Sequence, residues 1–228
     1  MALHLYHPGR SDRSIQGVLF DMDGLVLDTE TLYSRFWREG AQALGFPMTF
    51  QQSLQLRSLN NEAGQAKLTE FFGPAADYEA IRRKRIEKMD AFIRTHGVQS
   101  KPGIFALLDA LNRWGIPCAI TSSSPQERIA AYLTPLGLYD RFDKICSGYD
   151  VPHGKPAPDI YLLGASTLGV PPESCLALED SPAGILSAHR AGCLPVMVPD
   201  LDQPDPETQA LLYAKADSLE DVIGLLDG

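Results

Sequence analysis

Two aspartates, Asp21 and Asp23, stand at the end of a short apolar run, Gly17 to Phe20, with Gly24 just behind them. A β-prone run of this kind suits a strand buried on both faces. Along an extended path a spacing of two leans both carboxylates the same way off the strand's end, where they repel each other unless a cation sits between them. Taken alone, the segment fits equally a strand that closes in an Asp/Gly turn. A second apolar run, Leu176 to Leu178, ends in Glu179 and Asp180 ahead of Ser181-Pro182. It offers either more oxygen donors or an acidic turn that the dipole of the following helix favours. A third run ends in Thr121-Ser122-Ser123-Ser124 before Pro125. N–H groups and hydroxyls at such a junction suit a phosphate, although Ser124 by itself reads as a helix cap. Lys155, between Gly154 and Pro156, is expected to be extended, because a proline disfavours helical geometry in the residue before it. A lysine held there can point a compact charge into a site, whereas an ordinary loop lysine faces solvent.

These four points need elements to position them, and the spacing of apolar and punctuating residues predicts which. After the first strand the texture is helical: Thr31 to Leu44, closed by Gly45; a helix from Thr49, whose pairing with Gln52 is a capping-box pattern; then Asn60 to Phe72 and Asp77 to Thr95, ended by Gly73-Pro74 and Gly97. Asp28 or Thr29 is available to cap the first of them. No strand is expected between Asp28 and Ser100. A helical block of that size is hard to house as an ordinary crossover, so it reads as an inserted lobe. The run Arg82-Arg83-Lys84-Arg85 reads as a solvated helix face.

From Lys101 onward strands and helices alternate. The pattern predicts helix Ile104 to Trp114, strand Pro117 to Thr121, helix Pro125 to Leu136, strand Lys144 to Cys146, helix Pro158 to Leu168, strand Cys175 to Leu178, helix Pro182 to Ala191, strand Pro195 to Val198 and a final helix Ser218 to Leu226 capped by Ser218 and Asp221. Such alternation gives an α/β, Rossmann-like, doubly wound parallel sheet with right-handed crossovers, whose ligands bind beyond the C-terminal strand ends. The expected organisation is an N-terminal arm over 1–14, an α/β core over 15–28 and 101–228, and an inserted all-helical cap over 29–100.

Composition bounds the function. At 228 residues, 44% hydrophobic and 21% charged, the chain is long enough for one good core and a smaller lobe. A net charge of −9 argues against nucleic acid as the main partner. A small anionic substrate remains compatible, since a metal and local cations override a distant field. Cys118, Cys146, Cys175 and Cys193 lie far apart without zinc spacing and read as reduced, buried thiols of a cytoplasmic protein. No stretch approaches the roughly 18 apolar residues of a membrane span, and the first fourteen residues lack a signal-peptide core and read as a loose arm. A monomer is expected.

The motif Asp21-Met22-Asp23-Gly24 after its apolar strand resembles the nucleophile motif of the haloacid dehalogenase (HAD)-type phosphohydrolases. Its continuation Leu25-Val26-Leu27-Asp28-Thr29-Glu30 resembles the subgroup that contains β-phosphoglucomutase and many small-metabolite phosphatases. Gly154-Lys155-Pro156-Ala157-Pro158-Asp159 is similar to the family's lysine motif, and Leu178-Glu179-Asp180-Ser181-Pro182 to its second acidic motif. The opening motif with Tyr33 and the segment Pro195 to Asp200 is also similar to pseudouridine-5′-phosphatase-like proteins. The resemblance implies a four- or five-helix cap after the first strand and a Mg²⁺-dependent phosphatase of a small phosphorylated metabolite acting through an aspartyl-phosphate. It implies Asp21 as nucleophile, Asp23 as acid and base, and Lys155 steadying both nucleophile and phosphoryl oxygens. It further implies Ser122 with Ser123 as the phosphate site, with Thr121 the register alternative. Asp21, Asp180 and the Asp23 carbonyl would hold the metal, with Glu179 a ligand or an outer partner; hard oxygen donors of this kind suit Mg²⁺. The sugar-phosphate mutase of the subgroup carries a histidine where this chain has Tyr33, which favours a phosphatase over the mutase alternative. A non-catalytic phosphate-sensing module is the other alternative. Near the cap's specificity loop, Arg57, Asn60 and Asn61 are candidates for substrate contact or surface polar residues.

Overall fold

The computed structural model describes residues 4–5, 15–56, 59, 61–200 and 203–226. The chain divides into two compact units, Met1–Asp28 with Gln99–Gly228, and Thr29–Val98.

The first unit is built on a sheet whose strands are β1 (His4–Leu5), β2 (Gly17–Phe20), β3 (Cys118–Ser122), β4 (Lys144–Ser147), β5 (Cys175–Glu179), β6 (Leu194–Met197) and β7 (Ala214–Lys215), in the order β1-β7-β6-β5-β2-β3-β4. β2 to β7 pair in parallel, and β1 joins antiparallel through His4↔Lys215 and Leu5↔Ala214. The pair His4–Leu5 thus lies in a strand where a loose arm is expected from the sequence. Residues 6–14 lie outside the described residues.

Every residue of β2, β3, β5 and β6 is buried. These strands carry no alternation of polar and apolar residues because helices cover both faces of a parallel sheet. Leu19, Ala119 and Ala177 pack with Ile160, Tyr161 and Ala165 of a helix, while Phe20 meets Phe142 edge-on with ring centroids 5.5 Å apart. From β2 the chain builds outward through β3 and β4, then returns to lay β5 against the other side of β2. The reversal makes the C-terminal ends of β2 and β5 the switch point where such sheets bind ligands.

The second unit is helical: α1 (Glu30–Ala43), α2 (Phe50–Leu54), α3 (Asn61–Phe72) and α4 (Tyr78–His96). No strand occurs among its described residues. Thr49 and Gln52 form the expected capping box, and Asp77 caps α4 by accepting from the Ala80 N–H. Thr29 is the N-cap residue of α1 but makes no side-chain capping bond. Trp37, Ala41, Leu68, Tyr78 and Ile81 form the unit's core. α1 and α4 approach closely at Gly40, where an added Cβ would lie 2.9 Å from the Arg85 backbone nitrogen.

The basic run of α4 is not uniformly solvated. Four successive helical positions sweep most of the way round the helix, so one of them must face the neighbour. That residue is Arg85, buried with its guanidinium 4.6 Å from the Tyr33 ring centroid and 5.0 Å from that of Trp37.

The remaining elements are α5 (Ile104–Trp114), α6 (Gln126–Leu133), α7 (Asp159–Leu168), α8 (Pro182–Arg190), α9 (Pro206–Leu211) and α10 (Ile223–Leu226). The last helix is shorter than the sequence predicts, because Ser218 and Asp221 close a turn ahead of it: the Asp221 N–H donates to Ser218 Oγ at 3.2 Å. All four cysteines are free and buried. No described helix is long and apolar enough to cross a membrane.

Replacing Gly40 by leucine is expected to destabilise the protein by about 1–3 kcal/mol, since the side chain meets backbone that cannot yield. Thermal or urea denaturation measures it, and a variant as stable as wild type refutes the close approach.

Candidate active site

The site is assembled from the C-terminal ends of β2, β3 and β5 and the loop before α7. Asp21 follows β2, and its N–H still donates to the Leu178 carbonyl at 3.0 Å, so its backbone is held in the ladder one residue beyond the strand. The chain then folds back on itself: the Val26 and Leu27 N–H groups both donate to the Met22 carbonyl, and Gly24 donates to Leu27. Gly24 takes φ +88°, which a side chain would resist. This turn leaves Met22 fully buried, with Asp21 buried and Asp23 half-buried on either side of it.

At the end of β3, Thr121 and Ser122 have different tasks. Thr121 Oγ1 donates to the Phe20 carbonyl at 3.1 Å and ties β3 to β2. Ser122, fully buried, accepts from the Ser124 N–H at 3.1 Å, while Ser123 is exposed. Ser124 is not the helix cap. That position falls to Pro125, and Ser124 Oγ instead donates to Asp23 Oδ2 at 3.3 Å. The Ser147 hydroxyl holds the loop from below through the Ser124 carbonyl, at 2.8 Å.

Lys155 lies in a turn that includes the cis Lys155–Pro156 bond. The turn is fixed from α8, where Ser187 Oγ donates to the Ala157 carbonyl and Arg190 to that of Pro156. So anchored, the lysine side chain is 9% exposed and turned inward. Its Nζ lies 2.5 Å from Asp21 Oδ1 and 2.6 Å from Glu179 Oε1.

Glu179 is 0% exposed and fully engaged. Oε1 accepts from Lys155 and, at 2.7 Å, from the Tyr161 hydroxyl; Oε2 accepts from the Ser181 N–H at 3.3 Å and from Ser181 Oγ at 3.0 Å. Ser181 also caps α8 by accepting from the Gly184 N–H. Asp21, Glu179 and Asp180 each offer an oxygen, all within 4.8 Å of one another, and this set could hold a metal ion. The Asp23 carboxylate is not part of that group.

The charge balance of this cluster is lopsided. Burial above all, and then the Glu179 and Asp23 carboxylates, push the Asp21 carboxyl up to about 7, against the pull of Lys155. Burial opposes the Lys155 charge, but Asp21 and Glu179 outweigh it and hold the ammonium well above the ordinary lysine range. One buried cation therefore serves a surplus of carboxylates. A set of hard oxygens with unbalanced negative charge fits a small divalent cation.

Of the residues read from the sequence as bearing on specificity, Tyr33 and Asn61 lie in the helical unit. The Tyr33 ring rests on the Arg85 guanidinium, and the Asn61 side-chain amide donates to Glu79 Oε1. Arg57 and Asn60 lie outside the described residues. Tyr161 and Gly184 are site residues that residue type and spacing do not single out, and Ser124 serves Asp23 where the sequence suggests a helix cap. Tyr161 sits in the apolar stretch Ile160 to Leu163, and its type alone suggests core.

Gly184 abuts the Glu179 carboxylate so closely that an added Cβ would lie 1.8 Å from Oε1. Because that carboxylate is clamped by four donors, Gly184→Ala is expected to cost roughly 1–3 kcal/mol in thermal denaturation. An unchanged melting temperature refutes the clamp.

Comparison with known proteins identifies the family. The family model described as haloacid dehalogenase-like hydrolase matches residues 15–192. Hexitol phosphatase A of Escherichia coli is 34% identical over 181 residues, covering 78% of this chain and 80% of that protein. The "Probable pseudouridine-5′-phosphatase" of Drosophila melanogaster is 33% identical over 196 residues, covering 82% and 83%. Among solved structures, CbbY from Rhodobacter sphaeroides, crystallised in complex with phosphate, superposes with a TM-score of 0.75 at 27% identity, covering 94% of this chain and all of that one. A family model that spans most of the Rossmann-like sheet, together with relatives named as phosphatases, shows that the chain belongs to the haloacid dehalogenase-like hydrolases.

Proposed function

We propose that the protein is a Mg²⁺-dependent phosphatase that hydrolyses a small phosphorylated metabolite, a sugar, polyol or nucleoside phosphate, through an aspartyl-phosphate on Asp21. The observation that carries this reading is the Lys155 ammonium 2.5 Å from Asp21 Oδ1, where the adjacent ends of β2 and β5 bring Asp21 beside Glu179 and Asp180. The names of the polyol and nucleoside phosphatases among the relatives support the substrate class.

A dianionic ester repels an approaching carboxylate, so charge must be offset while nucleophile, phosphorus and leaving oxygen stay in line. Lys155 supplies one positive charge and favours the ionised form of Asp21. Asp21 Oδ attacks phosphorus; the new O–P bond forms as the ester O–P bond breaks. Asp23, as a carboxylic acid, gives its proton to the departing oxygen. As a carboxylate it then takes a proton from the water that attacks the aspartyl-phosphate, which releases phosphate and restores Asp21. Ser124, bonded to Asp23, orients that carboxyl, and Ser122 with Ser123 receives the phosphoryl oxygens.

Asp21, Asp180 and the Asp23 main-chain carbonyl would hold the Mg²⁺. Glu179 is an outer support in this scheme, because its four hydrogen bonds use the acceptor positions of a carboxylate. The bound ion supplies further charge neutralisation and orientation of the phosphoryl oxygens. The helical unit Thr29–Val98 corresponds to the inserted cap of the family and carries Tyr33 and Asn61 as candidates for leaving-group selection.

Phosphate release from a panel of sugar, polyol, nucleoside and two-carbon phosphates tests the reading. Turnover is expected with Mg²⁺, not with EDTA, and Asp21→Asn should lower kcat by about four orders of magnitude or more with the fold retained. Equal activity in the variant would sink the mechanism.

A pH dependence follows from Asp21. With its carboxyl at about 7 in the metal-free protein, a proton occupies it below that value and must leave before the ion binds. Mg²⁺ affinity measured by calorimetry should therefore rise with pH, by about tenfold per unit below about 7, and level off above. An affinity independent of pH across that range contradicts the assignment of Asp21 as a ligand.

A further inference from the structure

The hydroxyl of Tyr161 is not accounted for by packing. The residue is fully buried in the first turn of α7, in a cluster with Leu19, Ala119 and Ala177, where a phenylalanine ring would fill the same space. One turn further on, α7 is pressed against the sheet: a Cβ on Gly164 would lie 2.7 Å from Thr121 Cγ2. That close approach fixes the height of the Tyr161 ring beneath the strand ends.

The tyrosine makes two polar contacts there, and both converge on one cation. Its hydroxyl donates to Glu179 Oε1 at 2.7 Å, the same oxygen that receives Lys155 Nζ at 2.6 Å. Its ring centroid lies 5.0 Å from Lys155 Nζ, within reach of a cation–π attraction. A lysine ammonium is a point charge on a flexible four-carbon stem with no preferred fork geometry, so walls must hold it. The carboxylate torsion of Glu179 is itself broad and needs donors to set it. Ser181 sets Oε2, and Tyr161 sets Oε1.

We infer that Tyr161 is a positioning residue for phosphoryl transfer: its hydroxyl orients Glu179, and Glu179 together with the ring face holds the Lys155 ammonium against Asp21. This rests on the phosphatase reading above. Tyr161 touches neither the phosphoryl group nor Asp21 in this role and acts only through its two neighbours. The hydroxyl and the ring make separable contributions, so Tyr161→Phe removes the orientation of Glu179 alone and Tyr161→Leu removes both.

Two measurements on the full chain test it. With para-nitrophenyl phosphate and Mg²⁺, Tyr161→Phe should lower kcat by about tenfold or more while KM stays within about threefold, with Tyr161→Leu lower still. Separately, without substrate or metal, acetylation of Lys155 by acetic anhydride is followed by peptide mass spectrometry against the exposed Lys144. The Lys155 rate relative to Lys144 should rise by about threefold or more in Tyr161→Phe, since a loosened ammonium opens to solvent more often. The inference is overturned if Lys155 reactivity stays within about twofold of wild type, whether or not kcat falls, because a loss of rate would then not pass through the lysine. If wild type releases no phosphate but Lys155 reactivity rises in the variant, the hold on Lys155 stands and the phosphatase reading fails instead.

Discussion

A surplus of buried carboxylate around a single ammonium is the constraint to which the rest of this fold answers. Charges taken out of water are tolerated only when each is paired and its remaining acceptor positions are filled. Glu179 meets that condition with donors from three elements: the loop before α7, α7 itself and the start of α8. Asp21 meets it less completely, and burial, with the Glu179 and Asp23 charges behind it, raises its carboxyl above the ordinary range. The part left unbalanced is the part that can do chemistry. In the proposed reaction, the carboxylate left short of a cation is the one that would take a metal ion and an electrophilic phosphorus.

Placing these groups within hydrogen-bond reach is a matter of approach distances set by small residues. Gly164 lets α7 lie close on β2 and β3, Gly184 leaves room for the Glu179 carboxylate beside α8, and Gly24 allows the turn that follows the two aspartates. The Thr121 hydroxyl fastens the end of β3 to the end of β2. Each device acts on backbone or on a locked side chain, so the site rests on strands and helix starts and not on free loops. A constellation built this way holds its geometry before any ligand arrives.

Much of this architecture is legible in the amino-acid sequence. The strands announce themselves as unbroken apolar runs, and Pro125, Pro158 and Pro182 mark where helices begin to within a residue. Three elements carry too little signal to be read, and the reason is length: β1 and β7 are only His4–Leu5 and Ala214–Lys215, and α9, Pro206–Leu211, follows a polar, proline-containing stretch with little periodicity. The last helix reads too long because a Ser218–Asp221 bond looks the same in sequence whether it caps a helix or closes a turn. Tyr161, Ser124 and Arg85 are illegible for a different reason. Their partners, Glu179, Asp23 and the Tyr33–Trp37 rings, lie 18, 101 and about 50 positions away, and only the fold brings them together.

The helical unit enters and leaves the α/β unit through residues that lie side by side. Leu27 bridges antiparallel to Ser100, the Asp28 N–H donates to the Gln99 carbonyl at 2.8 Å, and the Lys101 N–H to that of Val26. The Lys101 side chain then reaches Asp200 at 2.7 Å and anchors the two connecting segments to the loop after β6. In polymer terms Thr29–Val98 is a loop whose ends are already closed by the body it interrupts. The entropy of closing such a loop grows only with the logarithm of its length. The sheet is therefore indifferent to how much chain is spliced in at this point, which makes the junction a place where evolution can exchange a whole lobe without disturbing the register of a single strand.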